Sequence, residues 1–147
     1  MRISSTVPES PSIIFALHAE VTAMSRPVLD ERHIHPAIRE QIARHQREIV
    51  NEVQAAIVAY PVVVVGMSTN PVCKSARKAL NAAGVAHHYL EYGNYFNNWR
   101  RRNALKMWTG WPTFPMVFVN GLLIGGAGDL TRVIQSGELV TLLAAKN

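Results

Sequence analysis

The sequence contains little cysteine, few acidic side chains and no long apolar run. Cys73 is the only cysteine in 147 residues, so an intrachain disulfide is excluded, and the Cys/His spacings typical of zinc sites are missing. Structural disulfides belong to oxidising compartments, and their absence here predicts a cytoplasmic location. No apolar run is long enough to cross a bilayer, so no membrane association is expected.

Basic side chains outnumber acidic ones in this chain. There are 15 Lys and Arg against 10 Asp and Glu, which gives a formal net charge of +5 and a pI near 9.8. Such a balance brings nucleic-acid binding into consideration. The only dense basic run is Arg100-Arg101-Arg102, and no base-reading motif accompanies it. We therefore expect a solvated basic face and no nucleic-acid function.

The length of the chain supports one ordinary core. Residues 1–30 are predicted to form a disordered or loosely packed N-terminal tail, and residues 31–147 one domain. At the start of this domain, apolar residues recur at spacings of three and four. They predict an amphipathic helix over residues 35–59, which Tyr60-Pro61 ends.

Strand and helix patterns alternate after this first helix. The run VVVVG (62–66) is β-branched and continuous, which is typical of a strand buried on both faces. Asn120-Gly121 is a two-residue hairpin signal. The predicted strands are residues 62–66, 85–92, 116–119 and 122–125. The predicted helices are residues 35–59, 72–83, 94–108, a segment starting near Asp129, and 139–145. This order predicts an α/β fold with one four-stranded mixed sheet flanked by helices, and with an extra N-terminal helix.

The stretch WPTFPMVFVNGLLIGG (111–126) resembles the C-terminal half of glutaredoxins, especially of their monothiol branch. That branch has Trp-Pro-Thr-Phe-Pro, a hairpin and a double glycine in the same order. The resemblance covers about residues 45–143 and implies a thioredoxin-like (glutaredoxin) fold. It also implies a cis peptide bond between Phe114 and Pro115, next to backbone groups that pair with glutathione in the family.

The same family places a reactive cysteine at the start of the first helix after the first strand, where helix N–H groups favour a thiolate. Residues 70–73 here read Asn-Pro-Val-Cys. In the glutaredoxin alignment, Asn70 stands at the nucleophile's position and Cys73 at that of the second cysteine or serine. The run is also similar to the Asn-Pro-x-Cys segment of glutaredoxin-coupled arsenate reductases, in which Cys73 would itself be the nucleophile. Both alignments stay open, and we predict that Cys73 is catalytic.

The resemblance further implies a glutathione site with glutathione as cofactor. Basic positions on the second family helix and the segment before the cis proline are retained here. After the double glycine the family has an acidic pair or a single Asp, and this chain has Gly128-Asp129, so the first acid is lost or shifted by one. The lysine that precedes the family's cysteine is replaced by Met67. The implied glutathione-binding residues are Arg102, Lys106, Thr113, Phe114, Pro115, Gly128 and Asp129.

Three functions are compatible with these features. The first is glutathione-dependent monothiol exchange through Cys73 in cell redox homeostasis, with protein thiols as partners. The second is a homodimer in which Cys73 and glutathione hold a 2Fe-2S cluster. The third is a non-catalytic adaptor of the same fold, with the helix over residues 35–59 used for docking. We favour the first, because it requires no second protein thiol.

Overall fold

The computed structural model describes residues 25–145, which fall into two units that divide after Glu40. In the first unit, residues 25–30 form no helix or strand. A short 3-10 helix, Glu31–His33, then begins where the Asp30 carboxylate accepts a hydrogen bond from the Arg32 N–H at 2.8 Å. The predicted tail over residues 1–30 lies mainly outside the described residues and stays a prediction.

The predicted helix over residues 35–59 is interrupted. Helix α1 spans Pro36–Arg44 and helix α2 spans Arg47–Ala59. Between them Gln46 has a left-handed backbone with φ of 49°, which cannot continue a right-handed helix. The prediction of one continuous helix is therefore wrong at this point. Its apolar stripe is buried only in α2, at Ile49, Val53 and Ala56, because α1 has no buried residue.

The second unit contains a four-stranded sheet in the order β2-β1-β3-β4. Strand β1 pairs in parallel with β2 and antiparallel with β3, and β3 pairs antiparallel with β4. The predicted mixed sheet is confirmed. The strands are β1 Val62–Gly66, β2 His88–Glu91, β3 Met116–Val119 and β4 Leu122–Gly125. The remaining helices are α3 Pro71–Ala82, α4 Trp99–Thr109, α5 Ala127–Gln135 and α6 Glu138–Ala144.

Strand β1 contributes to two apolar layers, one on each face of the sheet. Val63 and Val65 pack with residues of α2, α4 and β3, while Val62 and Val64 pack with residues of α3, α5 and α6. Successive side chains of a strand point to opposite faces, so the continuous valine run fills both layers. The result is a three-layer α/β/α arrangement with β1 in its middle.

The loop before α4 extends to Asn98, so this helix starts later than predicted. Gly93 and Asn98 have left-handed backbones with φ of 67° and 58°. The Asn94 N–H donates to the Asn97 side-chain oxygen at 2.8 Å, and the Phe96 N–H donates to the Asn94 side-chain oxygen at 2.8 Å. These side-chain bonds give the backbone an alternative to helix.

The hairpin between β3 and β4 has the predicted two-residue turn. Asn120 and Gly121 both have positive φ, at 48° and 83°, which suits a type I′ turn and the twist of the flanking strands. The Asn120 side chain also donates to the carbonyl oxygens of Leu142 at 2.9 Å and Leu143 at 3.2 Å. It thereby ties the C-terminal end of α6 to the hairpin.

Gly66 is the last residue of β1, and the side chains of Cys73 and Tyr89 lie close to its Cα. A Cβ built there would lie 2.9 Å from the Cys73 sulfur and 2.9 Å from the Tyr89 hydroxyl oxygen. We expect Gly66→Ala to lower the free energy of unfolding by about 1–3 kcal/mol through overpacking, measured by urea denaturation. Gly128→Ala is the matched control, because no heavy atom lies within 4 Å of its added Cβ. Equal stability of the two variants would contradict the prediction.

Candidate active site at the start of helix α3

The junction between β1 and α3 is capped by Asn70. Its side-chain oxygen accepts hydrogen bonds from the N–H groups of Val72 at 2.8 Å and Cys73 at 3.2 Å. Pro71 follows in the first turn, where a missing N–H costs nothing. In the glutaredoxin alignment, the nucleophile's position therefore holds an amide that satisfies free N–H groups of the helix end.

Cys73 lies one turn further along α3 and is buried, with 1% of its surface exposed. Burial raises the pKa of its thiol, and the negative charge of Glu91 adds to this rise. The backbone at Met67 acts in the opposite direction and lowers this pKa, although its effect is smaller than that of burial. The thiol is consequently neutral at neutral pH, and the helix end does not activate it as expected.

Tyr89 is the main neighbour of the Cys73 sulfur on the side of β2. Its hydroxyl donates to the Glu91 carboxylate at 3.1 Å, and the guanidinium carbon of Arg77 lies 4.0 Å from the centre of its ring. Burial and the Glu91 carboxylate raise the pKa of Tyr89, so the phenol stays protonated. A cleft of about 550 Å³ lies beside the start of α3, and its lining includes Lys74, Arg77, Tyr89 and Glu91.

Sequence reasoning missed Gly66, Tyr89 and Glu91 as neighbours of the cysteine. They reach it through the parallel pairing of β1 with β2, in which Gly66 lies opposite Glu91 and Val64 opposite Tyr89. The sequence contains no local motif for this arrangement. The strand pairing itself is the signal that could have found it.

The segment before β3 lies next to the start of α3. The Phe114–Pro115 peptide bond is cis, as the resemblance implied. Val65 pairs with Met116 in the antiparallel ladder, so the residues just before Met116 run alongside those just after Gly66. Phe114 and Pro115 are buried and Thr113 is exposed. The Lys106 ammonium lies 5.8 Å from the centre of the Phe114 ring, which brings these four predicted residues together.

Arg102 has an internal position that the sequence did not suggest. It is 7% exposed, and its Nη1 donates to the carbonyl oxygens of Tyr92 at 2.9 Å and Asn97 at 2.6 Å. The guanidinium therefore holds the loop before α4. Its predicted contact with glutathione stays a prediction.

Asp129 caps the start of α5. Its carboxylate accepts hydrogen bonds from the Gly126 N–H at 2.9 Å and from the Arg132 guanidinium at 2.7 Å. The hydrogen bond from the Gly126 N–H lowers the pKa of the Asp129 carboxyl group most, and the hydrogen bond from Arg132 lowers it further. The carboxyl group is therefore ionised at neutral pH. Gly128 beside it is exposed, with open space around it. The predicted pair thus presents a negative charge after the double glycine.

Comparison with known sequences decides the family. A family model for glutaredoxin matches residues 62–124. A glutaredoxin-like protein of Dictyostelium discoideum is 44% identical over 105 residues, which cover 71% of this chain and 85% of the relative. The chain belongs to the glutaredoxin family. Glutaredoxin-C1 of Arabidopsis thaliana is 33% identical over 95 residues, covering 65% of this chain and 76% of that protein.

Solved glutaredoxin structures share the fold. A buckwheat glutaredoxin–glutathione complex matches with a TM-score of 0.61 at 25% identity, over 68% of this chain and 91% of that one. Oxidized glutaredoxin 2 from Chlamydomonas reinhardtii matches with a TM-score of 0.59 at 31% identity, over 67% and 94%. The predicted thioredoxin-like fold is confirmed, and the protein is a glutaredoxin-like thiol redox protein.

A shared iron–sulfur cluster does not fit the position of the sulfur. A cluster held between two protomers needs thiolates at the protein surface, whereas Cys73 is a buried, neutral thiol. Among residues 25–145, no three His, Cys, Asp or Glu side chains are grouped as metal ligands.

In the same range, no helix has the length and apolar character needed to span a membrane.

Alkylation should reveal the raised pKa of Cys73. With iodoacetamide, we expect the rate to rise about tenfold per pH unit from neutral pH to beyond the ordinary cysteine value of ~8.5 without levelling off, because only the thiolate reacts. Tyr89→Ala should increase the rate at every pH by exposing the sulfur, and Tyr95→Ala, at an exposed ring, is its control. A plateau below pH ~8 in the unsubstituted protein would show an activated thiol.

The internal bonds of Arg102 predict a structural effect. Arg102→Met should lower the free energy of unfolding by about 1.5–3 kcal/mol, because two carbonyl oxygens lose a charged donor. Arg100→Met, at an exposed position, should change it by less than about 0.5 kcal/mol. Both are measured by urea denaturation. Calorimetry with S-methylglutathione on the folded variants then tests the predicted ligand contact, which an unchanged affinity in Arg102→Met would exclude.

Proposed function

We propose that this glutaredoxin exchanges thiols with glutathione disulfides through Cys73. The observation that carries the proposal is that Cys73 is the only cysteine of the chain. A thiol redox protein with one sulfhydryl must use that sulfur. The backbone at Met67 supports this assignment, because it lowers the pKa of the Cys73 thiol and so favours the thiolate.

The surroundings of the cis proline support glutathione as the co-substrate. Thr113 is exposed just before the cis bond, and the Lys106 ammonium stands over the Phe114 ring. A cation there suits a carboxylate of glutathione, and the ionised Asp129 suits its ammonium group. A structural neighbour from buckwheat is a complex with glutathione. Arg102 and Gly128 complete the proposed set by resemblance.

The exchange has two steps. The Cys73 thiolate attacks the glutathione sulfur of a mixed disulfide, forming a Cys73–glutathione disulfide and releasing the partner protein's thiolate. A second glutathione thiolate then attacks the glutathione sulfur, which restores the Cys73 thiolate and produces glutathione disulfide. No second protein thiol takes part. Protein thiols as partners and a cytoplasmic location belong to the same proposal.

Burial sets the rate of this chemistry. An attacking sulfur needs access along the disulfide axis, and Cys73 is 1% exposed beneath Tyr89. Tyr89 lies on β2, an edge strand of the sheet, and we propose that a local movement of this strand uncovers the sulfur. We expect slow exchange, limited by this opening and by the small thiolate fraction at neutral pH.

A second candidate function is a glutathione-binding adaptor without exchange. It is favoured by Asn70, whose amide stands at the nucleophile position and satisfies the helix N–H groups. In this case the fold recognises glutathione or a partner while Cys73 is a small core residue. A homodimer would be compatible with this role.

Intact mass after incubation with glutathione disulfide separates the two functions. If the protein exchanges thiols, the unsubstituted protein should slowly gain the mass of one glutathione, and the gain should be faster at higher pH. Added glutathione should reverse this gain, and the Cys73→Ser variant should not show it. Calorimetry with S-methylglutathione, which cannot exchange, measures binding alone. Binding without an adduct, even after long incubation above pH ~9, would leave only the adaptor. Failure of both would exclude glutathione as the ligand.

A variant with its only thiol at the start of α3 provides a reference rate for adduct formation. Asn70→Cys in a Cys73→Ser background places a single thiol at the helix end, where N–H groups lower a thiol pKa. We expect its adduct to form at least about tenfold faster at neutral pH than that of Ser75→Cys in the same background. Ser75 is exposed within α3, away from the helix end. Equal rates would show that this helix end does not activate sulfur.

A further inference from the structure

The loop before α4 and helix α4 itself expose apolar side chains together with positive charge. This aromatic–basic surface consists of Tyr95, Phe96, Trp99, Arg100 and Met107. The three rings are 60%, 92% and 53% exposed, and Met107 is 62% exposed. No Asp or Glu occurs between Glu91 and Asp129 in the sequence. Grouped apolar exposure of this kind is typical of an interaction site.

Hydrogen bonds hold the backbone of the loop that carries Tyr95 and Phe96. Side-chain oxygens of Asn94 and Asn97 accept backbone N–H groups within the loop, at 2.8 Å each. The buried Arg102 guanidinium holds the Asn97 carbonyl oxygen at 2.6 Å. The Gly93 carbonyl oxygen accepts the Ser68 N–H at 2.7 Å and so anchors the start of the loop beside the β1–α3 junction. The backbone that carries both rings is therefore held by the bonds of Asn94, Asn97 and Arg102.

One side of α4 adds a shallow cleft to this surface. Residues on one face of the helix, together with His45, line a cleft of about 400 Å³. The Arg100 guanidinium carbon lies 5.0 Å from the centre of the Trp99 ring. Trp99 and Met107 supply apolar walls, while Arg100 and Lys106 supply the positive edge. The lining residues are His45, Trp99, Arg100, Asn103, Lys106 and Met107.

We propose that the aromatic–basic surface docks an acidic peptide segment of a partner protein, with an apolar side chain between its carboxylates. The apolar side chain enters the cleft between Trp99 and Met107, and carboxylates pair with Arg100. Trp, Tyr and Arg are the residues that contribute most to such interfaces. The recessed apolar walls favour a side chain over a flat lipid surface, and one lined cleft favours it over a row of stacked bases. Docking requires no chemistry at Cys73, and it shares only Lys106, at the edge of the cleft, with the proposed glutathione-binding residues.

The test is fluorescence anisotropy with a labelled synthetic peptide that has Glu residues on both sides of a central Leu pair. The full chain and its Cys73→Ser variant should bind it equally, and rising salt should weaken binding. Arg100→Glu should weaken binding by about fivefold or more. Lys78→Glu, a charge reversal at an exposed position on α3, is its matched control and should have a smaller effect.

Apolar contributions have their own control pair. Phe96→Ser and Trp99→Ser should each weaken binding, whereas Val140→Ser, which removes a side chain 72% exposed on α6, should not. Equal losses with Lys78→Glu and Arg100→Glu would reduce the binding to net charge and overturn the proposal. Equal binding of a peptide with Gln in place of Glu would also overturn it. So would binding to anionic vesicles or single-stranded RNA without binding to the peptide.

Discussion

Strand β1 has to be covered on both of its faces, and most other elements lie where they do because of this requirement. Val63 and Val65 pack against one helical layer, and Val62 and Val64 against the other. Four β-branched side chains in succession cannot be left in water on either face without losing apolar burial worth about 25 cal/mol per Å². The same strand ends at Gly66, so the two layers together determine where the chain leaves the sheet and where α3 begins.

The position of the sulfur follows from the geometry of α3. A shift of three residues along a helix moves a side chain about 4.5 Å along the axis and rotates it by about 300°. At Asn70 a side chain caps the exposed end of the helix. At Cys73 it points towards Gly66 and Tyr89, inside the protein. One turn of helix therefore separates the capped helix end from a buried, neutral thiol, and proximity to the helix end alone does not activate a thiol.

Periodic patterns predicted those parts of the fold that depend on local order. The valine run of β1 and the Asn120-Gly121 turn were predicted because each has one physical solution. The break at Gln46 and the late start of α4 were not, because a left-handed residue with a side chain leaves no apolar pattern. At the site, the cis bond before Pro115 followed from a resemblance. The environment of Cys73 could not be predicted, because it is made by a neighbouring strand.

Stability and reactivity compete at the start of α3. An asparagine at this end stabilises a helix by about 0.5–2 kcal/mol relative to an uncapped residue, and a nucleophilic thiolate needs the same N–H groups for itself. Asn70 uses the N–H groups of Val72 and Cys73 for capping, and burial outweighs the backbone in setting the pKa of the Cys73 thiol. Recognition is under no such competition. The cis-proline segment and the aromatic–basic surface owe their shape to backbone and Asn–Arg hydrogen bonds, none of which involves sulfur. In the proposed function, recognition of glutathione or of a partner therefore does not depend on how reactive the thiol is.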